Sequence, residues 1–384
     1  MTDKEKSGLS TSGVSLMPSM ESTMCDALPD ETGHERPGYT LCHWVDEFLE
    51  TPVGDVPRIS TQLDRRDRIS TAIVRCGINR YRYTVTPGLY AVGNPHKDSE
   101  VLVTANFKLT FDHLRKELDD IDAWILVLDT KGINVWCAAG KGTFGTSELV
   151  SRIQKVKLDQ VVDHKRLILP QLGATGVSAK KVKSDSGFRV IYGPVKASDL
   201  PRFLKNKRKA DPDMRKVSFT FLERLILTPV EIQIAVKPAL ITALILFVFS
   251  GFGPGIFSFG AAWERGIIAL GALTAGIFSG AVVTPALLPF IPVREFALKG
   301  IITGSVTGLL LLAALPGNGT AQGIAPSMAL FLFTTTISSF LAMNFTGTTP
   351  FTSPSGVEKE MKRYIPAQLL GILASSGFWI YGAF

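Results

Sequence analysis

Charge is nearly missing from the last 154 residues of this 384-residue chain. Residues 231–384 hold twelve charged side chains, against 63 in the first 230, or about 8% against about 27%. The lower figure is a membrane composition and the higher one an ordinary globular composition, which argues against a wholly soluble enzyme. Cysteine is scarce as well. Cys25, Cys42, Cys76 and Cys137 are the full set, and no two have CxxC spacing. That excludes a zinc knuckle or an iron–sulfur cluster built from this chain's own thiols. The polar stretch Met1–Ser22 lacks the apolar core of a signal peptide, so the charged half is expected in the cytoplasm with its thiols free. Ionisable groups are also rare inside the apolar stretches: only Lys237 falls within one, close enough to its end to snorkel.

What is there divides the chain. Residues 1–54 are polar, weakly periodic and expected to be disordered. Residues 55–205 read as a folded cytoplasmic domain, 206–230 as a basic linker and 231–384 as a transmembrane domain. Spans are expected near 233–251, 266–287, 297–315, 326–345 and 364–383, each long enough to cross a bilayer. The turn formers Pro316–Gly323 separate the third from the fourth. Loops after the second and fourth spans carry five basic residues, and the other two loops carry only Arg265. The positive-inside rule then puts the N-terminal domain in the cytoplasm and Phe384 outside. The run Arg202–Lys209 fits a juxtamembrane segment better than a nucleic-acid patch, so no nucleic acid is expected as a partner. Small residues in Gly271–Gly276 and Gly300–Gly304 suit close helix packing, and the bundle reads as an anchor rather than a conduit.

The charged half alternates strand and helix signals. Ala72–Cys76, Glu100–Thr104, Ala123–Leu128, Arg166–Leu169 and Phe188–Tyr192 read as strands. Phe111–Leu118, Thr146–Ile153 and a serine-capped Ser198–Leu204 read as helices. This alternation predicts an α/β domain of Rossmann-like type, followed by an all-α transmembrane bundle of about five helices. Ligands of such sheets bind beyond the C-terminal strand ends, which directs attention to the segment after Leu128.

Two readings of that segment compete. Gly140, Gly142 and Gly145 spell GxGxxG before a helix, and Asp159 lies about where a ribose-binding acid belongs. A dinucleotide fingerprint should come directly off a strand, however, and Asp129, Lys131, Gly132 and Asn134 interrupt the apolar run. The other reading starts from Cys137. Ala138, Ala139 and Gly140 are small enough to admit a bulky flat group, Trp136 is placed to brace a macrocycle, and a thiolate at a helix start is a good soft-metal ligand. A buried structural cysteine is the plain alternative, and these residues alone go no further than a possible ligand.

The run Asn134-Val135-Trp136-Cys137-Ala138-Ala139-Gly140-Lys141 resembles, at all eight positions, the cap-helix motif N(V/I)WCA(A/G)GK of the membrane-bound corrinoid protein of microbial mercury methylation. That family joins a cytoplasmic corrinoid domain to about five transmembrane helices, so the resemblance extends over roughly residues 55–384. The charged half is also similar to the corrinoid domain of the corrinoid iron–sulfur protein large subunit. The resemblance implies a cobalamin-type corrinoid held by Asn134–Lys141, with Cys137 as the lower axial ligand to cobalt and the catalytic thiolate. The Asp-x-His-x-x-Gly motif of other cobalamin domains is missing: Asp112-His113 and Asp163-His164 have the wrong spacing. The implied activity is methyl transfer to Hg(II) through methyl–Co(III), giving methylmercury. A ferredoxin-like partner with two 4Fe-4S clusters would return the cobalt to Co(I), and a methyltetrahydrofolate-linked methyltransferase would supply the methyl group. The expected location is the cytoplasmic membrane, in contact with lipid. The alternatives are a corrinoid methyl carrier for another acceptor and a membrane transporter with a regulatory nucleotide-binding domain.

Overall fold

The computed structural model describes residues 42–315, 323–345 and 354–384. They form two compact units. One comprises the described residues up to Ser70 together with Tyr83–Met214, and the other comprises Thr71–Arg82 with Arg215–Phe384. The expected disorder of residues 1–41, the position of Cys25 and the turn at 316–322 lie outside the described residues.

The first unit is built on a seven-stranded sheet in the order β1-β2-β3-β5-β4-β6-β7: β1 Val45–Thr51, β2 Gly54–Ile59, β3 Gly88–Val92, β4 Glu100–Ala105, β5 Ala123–Leu128, β6 Arg166–Leu169 and β7 Arg189–Tyr192. Strands β5, β4, β6 and β7 run parallel. The hairpin β1–β2 is antiparallel, and β3 pairs antiparallel with β5, Tyr90 facing Ile125. The sheet is therefore a mixed α/β sheet. Helices α1 (Arg65–Arg75, of which Thr71–Arg75 counts with the second unit), α2 (Lys108–Arg115), α3 (Val135–Lys141), α4 (Thr146–Lys155), α5 (Leu158–Val161) and α6 (Ala179–Ser186) lie between the strands, and α7 (Leu200–Lys205) follows β7.

Strand β5 is apolar at every position because it serves two cores at once. Trp124, Leu126 and Leu128 join one core with Val135, Ala138 and Leu149. Ala123, Ile125 and Val127 join another with Phe111, Leu200 and Phe203. Successive side chains point to opposite faces, and both faces are covered, so every position must be apolar.

Several expectations are corrected. Residues 45–51, assigned to the disordered leader, form β1, and its neighbour Trp44 is buried against the rings of Tyr90 and Phe111 at 5.9 and 5.2 Å. Ala72–Cys76 is not a strand: Ala72–Arg75 closes α1, whose buried positions Asp67, Ser70 and Val74 follow helical spacing. The folded unit runs past 205 to Met214, which is buried in the second core. Ser198 caps nothing. It lies in a 3-10 turn, Ala197–Asp199, ahead of α7, which starts without a side-chain cap.

The second unit is helical: α8 (Phe221–Leu225), α9 (Thr228–Ser250), α10 (Phe259–Phe278), α11 (Thr284–Leu287), α12 (Phe296–Ala314), α13 (Ile324–Phe345) and α14 (Pro354–Tyr381). A short hairpin of β8 (Phe252–Gly253) and β9 (Ile256–Phe257) follows α9. A π-helical turn, Ser279–Val283, joins α10 to α11. By length and composition four stretches can cross a membrane: Phe221–Ser250, Phe259–Leu287, Phe296–Ala314 and Ile324–Phe345. The expected fifth span lies within α14, which is not among these four and takes in Glu358, Lys359, Glu360, Lys362 and Arg363 ahead of its charge-free stretch from Tyr364. Most of the small residues pack closely: a side chain on Gly300 or Gly304 would come within 2.6 Å of Ser338 on α13 and one on Gly276 within 2.9 Å of Ile337, whereas one on Gly271 would meet nothing within 4 Å. Lys299, one of the five basic residues counted in the loops, is buried within a helix, and so is Glu360. The Lys299 ammonium donates to the carbonyls of Leu288 (2.8 Å) and Ile291 (2.6 Å), and the Glu360 carboxylate accepts from the Ala297 amide (2.6 Å). Each charge thus closes a helix end that would otherwise be left unpaired.

Candidate functional site

After β4 the chain crosses through α2 to β5, then returns past β4 to build β6 and β7 on its other side. The order reverses between β4 and β6, and a crevice opens beyond the strand ends at such a point. A cavity of about 310 Å³ lies there, lined by Leu102–Thr104 of β4, Ile168 and Leu169 of β6, Pro194–Ala197 after β7, Thr110, His113 and Leu114 of α2, and Asn134–Trp136 at the start of α3. Its walls are largely apolar, as in ordinary small-molecule sites.

Helix α3 is two turns long and has two unlike faces. Val135, Ala138 and Ala139 point into the core, at the spacing of one helix side. Trp136, Cys137, Gly140 and Lys141 form the exposed side, with Trp136 39% exposed. Asn134 caps the helix: its Oδ1 accepts from the Cys137 amide at 2.9 Å. Gly142 ends it in the left-handed region at φ 81°, where glycine carries no steric cost. The core side rests on a loop after β6. A side chain at Gly176 would meet the Phe144 carbonyl at 2.2 Å and the Ala139 Cα at 3.0 Å, so only glycine lets the two backbones approach. Replacing Asn134 by alanine is expected to cost about 1 kcal/mol, the usual value of a lost cap. Urea denaturation measures it, and an unchanged midpoint would show that the cap carries no stability.

The predicted residues are therefore brought together, though not all in one role. Asn134, Val135 and Trp136 line the cavity, whereas Cys137 stands beside them on the outer face and is not a wall residue. A Cβ at Gly140 would meet nothing within 4 Å, so space is open one turn from the thiol. Cys42 is buried and Cys76 exposed. Among the described residues, the one group of three His, Cys, Asp or Glu side chains within metal-binding reach is His43, Asp64 and Asp67, which excludes Cys137. Cys137 thus offers a single thiol outside any such group among the described residues, the kind of donor that suits a metal already held in a planar macrocycle. The donor set fits a corrinoid in this respect. The dinucleotide reading fails on geometry. Between Leu128 and Gly140 stands most of α3, so the glycines do not form the turn from strand to helix that a pyrophosphate needs.

Sequence reasoning missed two groups here. His113 lines the cavity from α2, a placement with no motif to announce it. The opposite side of α2 carries a buried ionic cluster. Lys108 Nζ donates to Asp67 Oδ1 and Asp112 Oδ2, both at 2.7 Å. Arg115 donates to Asp112 Oδ1 (2.8 Å), Asp67 Oδ2 (2.5 Å) and the carbonyls of Ser60 (2.6 Å) and Gln62 (3.1 Å). All four charged side chains are at most 2% exposed. Burial alone would raise the Asp67 carboxyl, but the hydrogen bond and charge of Lys108, with Arg115, hold it down at about 2. Burial would likewise lower the Lys108 ammonium, and Asp112, Tyr83 and Asp67 together push it above its usual value. In the loop before α3, burial works against the Asp129 carboxylate, yet Lys131 beside it keeps it below the ordinary range.

Residues 79–204 match the family of the CO dehydrogenase/acetyl-CoA synthase delta subunit. The matched stretch contains β3–β7, α3 and every residue lining the cavity. The acetyl-CoA decarbonylase/synthase complex subunit gamma of Methanopyrus kandleri is 35% identical over 125 residues, 32% of this chain and 27% of the relative. That of Archaeoglobus fulgidus is 31% identical over 174 residues, 43% of this chain and 36% of the relative. The corrinoid/iron-sulfur protein large subunit of Moorella thermoacetica is 34% identical over 119 residues, 30% and 26% of the two chains. The chain thus spans about a quarter to a third of the length of the relatives it matches.

Proposed function

We propose that this protein is a corrinoid-dependent methyltransferase that delivers a methyl group to Hg(II), with the Cys137 thiolate as lower axial ligand to cobalt. The observation that carries the reading is the exposed thiol on α3, inside the eight-residue run Asn134–Lys141 and next to the cavity at the strand reversal. Similarity to a corrinoid/iron-sulfur protein over the stretch that builds this site supports the cofactor class. When bound, the corrinoid supplies cobalt as the methyl carrier, and a thiolate donor makes that metal electron-rich, which suits delivery of carbon to an electrophile. The chain's own residues set the ligand in place. Asn134 fixes the first turn through the Cys137 amide, Val135, Ala138 and Ala139 seat the helix, and Trp136 offers an apolar face beside the thiol.

Low-potential electrons come from a ferredoxin-like protein with two 4Fe-4S clusters, and the methyl group from a methyltetrahydrofolate-linked methyltransferase. The helical unit sits in the cytoplasmic membrane with the first unit in the cytoplasm. Phe384 lies outside if α14 crosses as a fifth span, and a C-terminal tag read from either side of the membrane decides that.

A second reading, a methyl carrier for another acceptor, is favoured by relatives whose names place them in acetyl-CoA decarbonylase/synthase complexes. Purified full-length protein, loaded with corrinoid and supplied with methyl donor and reduced ferredoxin, is expected to form methylmercury from Hg(II). A loaded protein that methylates an acetyl-CoA synthase centre and leaves Hg(II) untouched would favour the second reading. A visible spectrum with no corrinoid bands after loading would overturn both.

A further inference from the structure

The Cys137 amide stands at the exposed end of a chain of hydrogen bonds whose buried end lies beside the sheet. Asn106 follows β4 directly and is 5% exposed. Its Oδ1 accepts from the amides of Thr130 (3.1 Å) and Gly132 (3.0 Å), two donors on the loop between β5 and α3. These backbone donors fix which end of the carboxamide is oxygen, since the NH₂ end would face them with hydrogens. Thr130 is fully buried, and its Oγ1 lies 2.8 Å from Asn106 Oδ1 and 2.7 Å from the Ile133 carbonyl. One hydroxyl has one proton. With the Asn106 oxygen already taking two amides, that proton goes to the Ile133 carbonyl. Ile133 immediately precedes Asn134, whose side chain accepts from the Cys137 amide. The loop needs this support, because Lys131 is held at a positive φ of 58°.

We infer that Asn106 and Thr130 are positioning residues for Cys137: they lock the loop that launches α3 and so set where the thiol stands. As a statement about metal ligation this rests on the corrinoid reading. As a statement about the loop and helix it does not. Nothing in the side chains of Asn106 or Thr130 reaches the metal site, so their effect passes through Asn134.

The test uses the full-length chain and three substitutions. Thr130→Val keeps the shape and removes the hydroxyl, Thr130→Ser restores it, and Asn106→Leu removes the acceptor at similar volume. Binding of aquocobalamin is followed by visible and electron paramagnetic resonance spectra, and amide exchange of Cys137 and Ala138 is followed in the unloaded protein. Thr130→Val is expected to weaken cobalamin binding about tenfold or more, the usual effect of disturbing a ligand's supporting shell. It should also lose the thiolate–cobalt signature and speed exchange of both amides. Thr130→Ser should return all three towards wild type, and Asn106→Leu should match or exceed Thr130→Val wherever it folds. A Thr130→Val protein with wild-type affinity, signature and exchange overturns the inference. If wild type itself binds cobalamin without a thiolate signature, the ligation reading fails. Amide exchange then decides the positioning role alone: faster exchange in Thr130→Val upholds it, and unchanged exchange overturns it.

Discussion

A Cys137→Ala protein is expected to lose methyl transfer to Hg(II) by more than about 100-fold while keeping its melting temperature within about 2 °C of wild type. The first half follows from the proposed role. Disturbing a ligand's supporting residues alone costs metal sites 10- to 100-fold, and removing the donor itself should cost more. The second half follows from the structure. The thiol lies on the outer face of α3, and the bond that ties Cys137 to Asn134 runs through its backbone amide, which alanine retains. Alanine also has the better helix propensity. Activity assays on matched, folded protein separate the two halves. A variant retaining a tenth of wild-type activity would remove Cys137 from the chemistry, and a large drop in melting temperature would make it a structural residue instead.

Breaking the buried cluster should have the largest effect on stability. Lys108→Met leaves Asp67 and Asp112 buried with one cation between them, and removing one partner from such a cluster costs about 3–5 kcal/mol. For a unit of this size that is a fall of about 10 °C in melting temperature. Replacing all four charged residues by apolar ones of similar volume should cost much less, because no charge is then left stranded. The cluster also sets an acid limit. Asp67 titrates at about 2 in the folded chain against 3.8 unfolded, so its contribution is complete above about pH 4 and is lost as pH falls towards 2. The shift corresponds to about 2 kcal/mol. Lys108, raised by its partners, contributes fully below its ordinary value of 10.5 and loses that only above it. Urea denaturation at pH 7 and pH 3 should show the wild type losing stability in acid, and Lys108→Met losing less of it. Parallel acid profiles for the two proteins would contradict this account.

How far the sequence reveals the fold depends on which side chains are buried. Strands β4, β5 and β6 are covered on both faces, so their runs are apolar and their limits were found almost to the residue. Strand β1 has a half-buried, charged sequence, VDEFLET, that shows no clean alternation. Helix α1 was read as a strand at Ala72–Cys76 because Ile73 and Val74 are β-branched, while two of its buried positions, Asp67 and Ser70, are polar. A pattern search for apolar spacing cannot register them. The site divides in the same way. Cys137 and its neighbours were visible as a motif, and the glycine, asparagine and small residues around it had a physical role that spacing could suggest. Asn106, Thr130 and Gly176 act through single hydrogen bonds or close backbone approach across 24 to 37 residues of sequence. No periodicity marks such positions.

The course of the chain between the two units has a practical consequence. It leaves the first unit after Ser70, contributes Thr71–Arg82 to the second, and returns at Tyr83. In the second unit the backbone of Gly77 lies close against Gln233, within 2.9 Å of where its own Cβ would stand. A soluble fragment cut before Arg215 would therefore not be a self-contained piece. It would carry twelve residues torn from their packing partners, in the middle of its sequence rather than at an end where they could be trimmed. Excision of the first unit is better attempted by replacing Thr71–Arg82 with a short designed connection than by moving the stop codon.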